Sequence, residues 1–426
     1  MTATDKRILL AIVSLCLAST AIGRTGPKVR WGHQLVTPTR DHICGAMVAD
    51  SNDGIYMVVT RESEDNSGSK AKAVFLLKYS RQGDQLWSRQ LDAGVEGTSG
   101  LTADDQGNIY VFGHATSTPE RKTKGGFDAC IAKYDHTGTR LWSRQLGTPR
   151  HDVCSGLAVG DSGVLYISGY TYGSFAKPNK GGADMFIAAY SQSGTLMWKD
   201  QLGTSEDDRA LDIRIGDNND IYLCGNTDGS LARESFGQRD LVVARYDRTG
   251  KSVWLNQYGT TGDDSIMCME VGELGLLYLG SRTNGNVGSR QPQRRDLDSC
   301  LIGMTDTGKM LWVRQFGTHG WDGTWDMARF MDGSGDILIS GCQIPIKSKC
   351  QAYCRRYSSQ GELIWTQEFR EFNSRGGTCG RAVAIDSDNN CYHAGQTNAD
   401  LFGLNNGTPN VYIVRFDEAR DEQASP

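Results

Sequence analysis

Short apolar runs alternate with polar turns along almost the whole chain, and this alternation repeats. One representative stretch contains four such runs, Trp142 to Leu146, Ser155 to Val159, Val164 to Gly169 and Met185 to Tyr190. Turn-forming segments such as Asp104 to Asn108 and Asp247 to Gly250 separate the runs, which are too short for helices. The pattern therefore predicts an all-β chain of hairpins without amphipathic helices.

The tryptophans set the period of the repeat. They stand 53 to 58 residues apart at Trp31, Trp87, Trp142, Trp198, Trp254, Trp312 and Trp365. Six of them have a glycine four residues earlier and a tyrosine or methionine eight residues earlier. The agreement of the tryptophan, glycine and tyrosine columns predicts seven units of four strands each. A β-propeller accommodates such units because its ring leaves only short sheet edges.

The two ends of the chain complement each other in this scheme. The strand around Trp31 has no strands of its own unit before it, and the last unit stops after Val411 to Phe416 without a tryptophan strand. Together they complete one blade. The predicted fold class is all-β, a seven-bladed β-propeller with four antiparallel strands per blade, closed by N- and C-terminal strands in one blade. The predicted domains are a signal peptide at 1–23, the propeller at 24–420 and a short tail at 421–426.

The first residues have the features of an export signal. Two positive charges in Met1 to Arg7 precede an apolar run from Ile8 to Ala21, and Ala21-Ile22-Gly23 offers a small-x-small cleavage site. The run is short for a bilayer, and no later segment is apolar for long enough to cross one. We therefore expect a secreted, periplasmic or cell-surface protein with no membrane span in the mature chain. The alternative is an uncleaved anchor helix.

Several stretches resemble the bacterial seven-bladed β-propeller repeat, the SBBP repeat. They are Gly107-Asn-Ile-Tyr-Val-Phe-Gly113, Gly125-Gly-Phe-Asp-Ala-Cys-Ile-Ala-Lys-Tyr-Asp135 and Gly138-Thr-Arg-Leu-Trp-Ser-Arg-Gln-Leu-Gly147. The resemblance covers Trp31 to Phe416 and implies an exported propeller, but it implies no activity. The chain departs from the repeat in its many cysteines and in Ile344 to Tyr353, where the glycine-aspartate segment is replaced.

Charge and cysteine content narrow the partners. The net charge is −5 without a basic run, so we expect no nucleic-acid partner. The expected partner is an extracellular or envelope protein or a glycan, and the expected state is a monomer.

Twelve cysteines are present, eleven after loss of the signal, and an odd number leaves one thiol unpaired within the chain. Most lie in strand patterns as small core residues. The disulfide candidates are Cys379 with Cys391, and Cys342 with Cys350 or Cys354.

Two constellations are candidate sites. The first is a column of acids about ten residues after each tryptophan, namely Asp41, Glu96, Asp152, Asp208, Asp264 and Asp322, with Arg375 in the seventh unit. These acids could ring one mouth of the channel and hold calcium, or each could cap a local turn. The second is Trp321, Asp322 and Trp325 beside His319, where two aromatic faces could stack on a sugar or an aromatic ligand. The alternative is that these rings plug the channel or pack between blades.

Three function classes remain open. The first is an exported binding or scaffold module for a protein or glycan, since no P-loop, HExxH or Gly-x-Ser-x-Gly motif occurs. The second is a quinoprotein-like dehydrogenase, because Thr249 to Trp254 and Thr307 to Trp312 are similar to that family's tryptophan-docking repeat. That family typically has eight units, however. The third is a propeller-type polysaccharide lyase or glycoside hydrolase that uses the acids. We expect no cofactor except calcium at the acidic column.

Overall fold

A computed structural model describes residues 27–35, 42–52, 54–64, 70–91, 95–118, 121–122, 125–216, 218–287, 297–345, 348–369, 376–402 and 410–417. The predicted signal peptide, the tail, Asp41 and Arg375 lie outside these residues. No helix in the described part of the chain is long and apolar enough to cross a membrane. Its only helical elements are two single 3₁₀ turns, Asp161–Gly163 and Glu273–Gly275.

Seven antiparallel sheets of four strands form the blades, which confirms the predicted propeller. From the channel outward, blade 1 contains His42–Ala49, Ile55–Glu64, Lys70–Tyr79 and Gln85–Gln90. Blade 2 contains Val95–Ala103, Ile109–Ala115, Asp128–Tyr134 and Arg140–Leu146. Blade 3 contains Asp152–Val159, Leu165–Thr171, Asp184–Tyr190 and Leu196–Leu202. Blade 4 contains Asp208–Ile215, Ile221–Thr227, Asp240–Tyr246 and Ser252–Tyr258. Blade 5 contains Asp264–Val271, Leu277–Thr283, Asp298–Met304 and Met310–Phe316.

Blade 6 contains Trp321–Arg329, Ile337–Ile344, Gln351–Tyr357 and Leu363–Phe369. Blade 7 contains Thr378–Ile385, Cys391–Thr397, Asn410–Asp417 and, from the other end of the chain, Lys28–Leu35. A two-stranded hairpin, Ser117–Thr118 with Arg121–Lys122, projects from blade 2. Each innermost strand packs against the innermost strand of the next blade, and the seventh packs against the first. The ring is therefore closed.

The tryptophan and glycine columns have one physical explanation. The indole N–H of Trp198, on the outer strand of blade 3, donates to the carbonyl of Arg248 in a turn of blade 4. Gly250 in that turn has a φ of +85°, and a Cβ there would collide with the Trp198 ring. Trp31 and Trp312 donate to turns of the next blade in the same way. These outer tryptophans thus fasten one blade to the next, and glycine is required in the turn on which the indole rests.

The hydrophobic core is divided into seven layers, one at each blade junction. In the layer between blades 3 and 4, Ile187 from one blade meets Ile213 and Leu223 from the other, all fully buried. The layer between blades 7 and 1 joins Ile413 near one end of the chain to Leu35 near the other. Burial between the sheets, rather than within one sheet, holds the ring together.

Candidate functional site

A β-bulge occurs at the same place in every innermost strand. The bulged residues are Gly45, Ser99, Ser155, Leu211, Met267, Trp325 and Arg381. All seven line the central channel, which has a cavity of about 540 Å³. Because a bulge inserts one extra residue and re-aims its side chain, this column gives the channel one variable residue per blade.

The channel has two unlike walls. Blades 1 to 3 contribute glycine, alanine, serine and aliphatic residues together with Met47, Thr102 and Phe112, and no charged side chain among the described lining residues. Blades 4 to 7 contribute every charged lining residue in the described chain, namely Asp212, Arg214, Glu270, Asp326, Arg329 and Arg381. They also contribute Met267 and Trp325. A ligand in the channel would therefore meet an uncharged wall opposite a charged one.

Arg214 is the centre of the charged wall. Its guanidinium forms an ion pair with Asp212 on its own strand, and its Nε lies 3.5 Å from Glu270 of blade 5. Asp212 also accepts the amide N–H of Met269 at 3.0 Å, and so joins blade 4 to blade 5. In the same manner Asp326 accepts the amide N–H of Val383 at 3.0 Å and joins blade 6 to blade 7. These acids hold the innermost strands together.

Burial governs the titration of this cluster. It raises the pKa of Asp212 and Glu270, with Arg214 opposing the rise. It raises the pKa of Asp326 to about 7, although two backbone N–H donors and Arg214 act in the other direction. Burial alone would lower the pKa of Arg214, but Asp212, Glu270 and Asp326 outweigh it and keep Arg214 charged.

The two predicted site tryptophans lie next to each other on the innermost strand of blade 6, where Trp325 lines the channel cavity and Trp321 begins the strand. Their ring centroids are 5.4 Å apart, and both rings are half-buried. The guanidinium carbon of Arg381 in blade 7 lies 4.4 Å from the Trp325 ring centroid, and that of Arg282 in blade 5 lies 5.7 Å from the Trp321 ring centroid. Neither arginine forms a hydrogen bond or ion pair to any described residue. His319 is exposed in the adjoining turn.

The described acids of the predicted column lie at blade junctions. Asp208, the first residue of its innermost strand, accepts from the Thr204 N–H at 2.5 Å and from the hydroxyls of Thr204 and Thr227 at 2.9 and 2.5 Å. Asp152, Asp264 and Asp322 accept the corresponding bonds from Thr148, Thr260 and Thr318. None of the four lines the channel cavity. Glu96 lies in Val95–Ala103, but its side chain is outside the described part.

The seventh position of the column is filled by Thr378. This residue begins the innermost strand of blade 7 and pairs with Thr397, as Asp152 pairs with Thr171 in blade 3. The predicted equivalent, Arg375, precedes it by three residues because the chain between blades 6 and 7 has a different length. Counting residues from the tryptophan therefore misplaced the seventh member.

A second acidic column escaped the sequence analysis. Each column acid has a partner on the third strand of the preceding blade; the partners are Asp128, Asp184, Asp240 and Asp298. The partner accepts an amide N–H from a glutamine three residues after the tryptophan, as Asp184 does from Gln201 at 2.8 Å. The repeated Trp-x-x-Gln spacing was the signal. Burial raises the pKa of Asp208, its hydrogen bonds oppose that rise, and Asp184 adds to it.

These hydrogen bonds lead to a prediction for calcium. Amide and hydroxyl protons already point at the carboxylate oxygens of Asp208, and a cation at those oxygens would have to displace the donors. We expect the melting temperature to stay the same when EGTA is added. We expect Asp208→Ala to lower the free energy of unfolding by about 2 kcal/mol, since it leaves the Thr204 N–H without an acceptor. A lower melting temperature in EGTA would instead assign calcium to the column.

Three cysteines come together at the junction of blades 6 and 7. The sulfurs of Cys342, Cys350 and Cys379 all lie within 4.8 Å of one another, and those of Cys342 and Cys379 are 3.0 Å apart. Hydrogen bonds from the Cys342 and Cys350 thiols lower the pKa of Cys379; burial opposes this and Arg381 assists it. The described chain offers no other group of three such ligand atoms from histidine, cysteine or acidic residues.

The other two disulfide candidates lie elsewhere. Cys354 and Cys391 are both in the apolar core between blades 6 and 7. Cys379 pairs with Gln396, whereas Cys391 pairs with Ile385, near the opposite end of the same two strands. At about 3.3 Å per residue this separates Cys379 from Cys391 by roughly 18 Å, beyond the reach of a disulfide.

Comparisons with known proteins find a relative in sequence and several solved structures of similar fold. No family profile matches the chain. The regulatory protein FlaEY of Caulobacter vibrioides is 22% identical over 262 residues, which are 56% of this chain and 27% of that protein. The chain thus spans about a quarter of that relative's length.

Among solved structures, hydrazine synthase of Kuenenia stuttgartiensis has a TM-score of 0.53 at 12% identity and covers 88% of this chain and 97% of its own. An ulvan lyase of polysaccharide lyase family PL25, also solved bound to -[GlcA(1-4)Rha3S]-, has a TM-score of 0.51 at 9% identity, with 85% and 93% covered. Lignostilbene dioxygenase of Pseudomonas brassicacearum has 0.50 at 10%, with 92% of each chain covered. At these identities the likeness concerns the fold alone.

Proposed function

We propose that this chain is an exported binding propeller of the SBBP-repeat type, whose ligand is an acidic glycan bound at the channel mouth of blades 5 to 7. The observation that carries the proposal is the Trp321 and Trp325 pair, flanked by Arg282 and Arg381. Sugar rings stack on indole faces, and free guanidinium donors bind carboxylate or sulfate groups.

The geometry favours a glycan over the protein partner that the sequence also allowed. The arginines have no hydrogen-bonding or ion-pairing partner among the described residues, while their cationic faces are already held over the two indoles. Such preorganisation reduces the entropy lost on binding a small charged group. The channel cavity of about 540 Å³, with its uncharged wall of blades 1 to 3, leaves room opposite for the sugar chain. The ulvan lyase was solved with the acidic sugar -[GlcA(1-4)Rha3S]- bound. The likeness to that enzyme concerns the fold and not the sugar-binding residues.

The proposal extends to the location and the oligomeric state of the protein. The N-terminal segment directs the chain out of the cytoplasm, and the protein acts as a monomer at the cell surface, in the periplasm or in the medium. The charged wall contains three acids and three arginines, and Arg381 of the proposed site is one of these arginines. Arg282 and Arg381 have no ion-pair partner among the described residues and are therefore the groups that select an acidic ligand.

The test is a binding titration with polygalacturonate and a sulfated polysaccharide, and with dextran as the neutral comparison. We expect the acidic polymers to bind and dextran to bind at least tenfold more weakly. Trp321→Ala with Trp325→Ala should lower the affinity at least tenfold, because the indoles stack on the sugar rings. Arg282→Met with Arg381→Met should lower it at least tenfold as well, because the guanidinium groups pair with the acidic groups of the ligand. Circular dichroism and the melting curve establish that the variants are folded.

Arg144→Met is the matched control. Arg144 lies 5.2 Å from the Trp142 ring centroid on the outer wall of blade 2, so it repeats the arginine-over-tryptophan contact away from the channel. Its replacement should leave the affinity unchanged. Equal affinity in the wild type and both double variants, or equal binding of dextran, contradicts the proposal. If the tryptophan double variant does not fold, the arginine variant still decides.

A further inference from the structure

The same three positions of the repeat meet at several of the described blade junctions. They are the sixth residue of a second strand, the residue just before the third strand of that blade, and the second residue of the next innermost strand. At the junction of blades 3 and 4 these are Tyr170, Ala183 and Arg209, and the Arg209 guanidinium lies 5.2 Å from the Tyr170 ring centroid. At the junction of blades 2 and 3, His114 and Phe127 stack at 5.0 Å. The geometry is therefore a property of the fold.

The backbone fixes this arrangement. The carbonyl before the third strand accepts the N–H of the first residue of the next innermost strand, as Ala183 does from Asp208 at 2.6 Å and Cys350 does from Thr378 at 2.7 Å. At the junction of blades 6 and 7 all three positions hold cysteine, namely Cys342, Cys350 and Cys379. The other described cysteines occupy other positions of the repeat, where they are buried in the core layers or the blades.

The surroundings of the three sulfurs supply one hydrogen-bond donor and one positive charge. The Trp325 indole N–H donates to the Cys342 sulfur at 3.2 Å, which uses that sulfur as an acceptor. Arg381, two residues after Cys379, supplies a positive charge beside the group. Cys342 is buried, and Cys350 and Cys379 are half-buried, so the site is sheltered yet reachable from outside.

We propose that Cys342, Cys350 and Cys379 bind a thiophilic metal cation, copper(I) or zinc(II), through their three sulfurs. A metal–sulfur bond of about 2.3 Å places three ligands around one ion about 4 Å from each other. The sulfurs all lie within 4.8 Å, so an ion fits after the Cys342 and Cys379 sulfurs separate by about 1 Å from their present 3.0 Å. Thiolates select soft cations over calcium or magnesium.

The site would join blade 6 to blade 7, and it lies against Trp325 of the proposed glycan site. It does not depend on that function. Three sulfurs complete a trigonal copper(I) site, whereas zinc(II) takes a fourth ligand, which water would supply. The competing outcome is a disulfide between Cys342 and Cys379, whose sulfurs are the nearest pair.

The experiment uses the full chain, reduced and purified without chelator. Copper(I) and zinc(II) are titrated separately against a competing chelator of known affinity. We expect one equivalent of one of them to bind with a thiolate-to-metal charge-transfer absorption. X-ray absorption should count three sulfurs for copper(I), or three sulfurs and one oxygen for zinc(II). Cys350→Ser and Cys379→Ser should each weaken binding at least about 100-fold, since loss of a direct ligand exceeds the effect of losing its supporting contacts.

Cys354→Ala is the matched control, because it removes a thiol four residues from Cys350 that faces the core instead. It should leave the affinity unchanged. The proposal is wrong if the reduced chain binds neither ion, if the control loses as much affinity as the ligand variants, or if mass analysis finds a Cys342–Cys379 disulfide that prevents uptake and is not opened by reductant. Glycan binding by the same samples is measured separately, so failure of one proposal leaves the other standing.

Discussion

A chain that starts at residue 36 should lose the cooperative unfolding of the propeller, whereas a chain that starts at residue 27 should keep it. The strand Lys28–Leu35 is the outer strand of blade 7 and pairs along its length with Asn410–Asp417. Leu35 is buried in the layer between blades 7 and 1. Gln34 accepts the N–H groups of Leu401 and Phe402 at 3.1 and 3.3 Å.

The expected loss is large because these contacts cannot be replaced from elsewhere in the chain. Burial of Leu35 contributes about 2 kcal/mol, and several net hydrogen bonds of about 1 kcal/mol each are lost with the ladder. The sum is on the order of 5 kcal/mol or more, comparable to the whole stability of many domains. Urea unfolding, followed by tryptophan fluorescence and by limited proteolysis, measures the loss.

A synthetic peptide of residues 27–35 provides the control. Added to the shortened chain, it should restore part of the urea midpoint, and a scrambled peptide should not. Gly32→Val in the longer chain is a milder version of the same test, since a Cβ at Gly32 would collide with the Phe402 ring. If the shortened chain unfolds at the same urea concentration as the longer one, the ends do not close the ring.

The sequence was sufficient for the fold because the residues that fasten the blades recur. The outer tryptophan of one blade rests on the glycine turn of the next, as with Trp198 and Gly250, so the tryptophan recurs in seven units and the glycine in six. The strand runs of the third unit were correct to within three residues at each end. The complementary termini predicted the closure that pairs Gly32 with Val414.

The site was harder to predict because its residues belong to columns that do not repeat in identity. Trp325 and Arg381 occupy the same bulge position in successive blades, but a one-residue bulge is invisible in an alternating pattern. The nearness of Trp321 and Trp325 was anticipated. Their arginine partners were not, because Arg282 and Arg381 lie on the two neighbouring blades.

The cysteines show the same limit. Cys342 and Cys379 are 37 residues apart in sequence and meet only because two blades are adjacent. Spacing along the chain suggested partners within one sheet, such as Cys391 for Cys379. Alignment of all seven units by blade position, rather than by distance from the tryptophan, is the signal that reveals three cysteines at one junction.

Arg214→Met should lower the free energy of unfolding by about 3 kcal/mol at pH 8 and by about 1 kcal/mol at pH 5. The substitution removes the cation that faces Asp212, Glu270 and Asp326 on the charged wall. Arg214 is 26% exposed to the channel, so water offsets part of the loss and the value stays at the low end for a buried pair.

The pH dependence follows from the direction of the pKa shifts. Burial raises the pKa of Asp326 to about 7 in the folded chain, against about 3.9 when unfolded. The folded chain therefore binds more protons, and this contribution to stability is complete below about pH 4 and is lost as the pH rises towards 7. Without Arg214 the pKa of Asp326 in the folded chain rises further. The Arg214→Met variant therefore loses most stability at high pH, where the carboxyl groups are ionised.

Urea unfolding at both pH values measures the effect, with Arg214→Lys as the control that keeps the charge. The lysine variant should lose less than half as much at pH 8, since a compact ammonium can still face Asp212 but cannot span to Glu270 with a second donor. A loss of equal size at pH 5 and pH 8 would mean that Arg214 acts through packing alone. In that case Arg214 does not stabilise the ionised carboxylates of the charged wall.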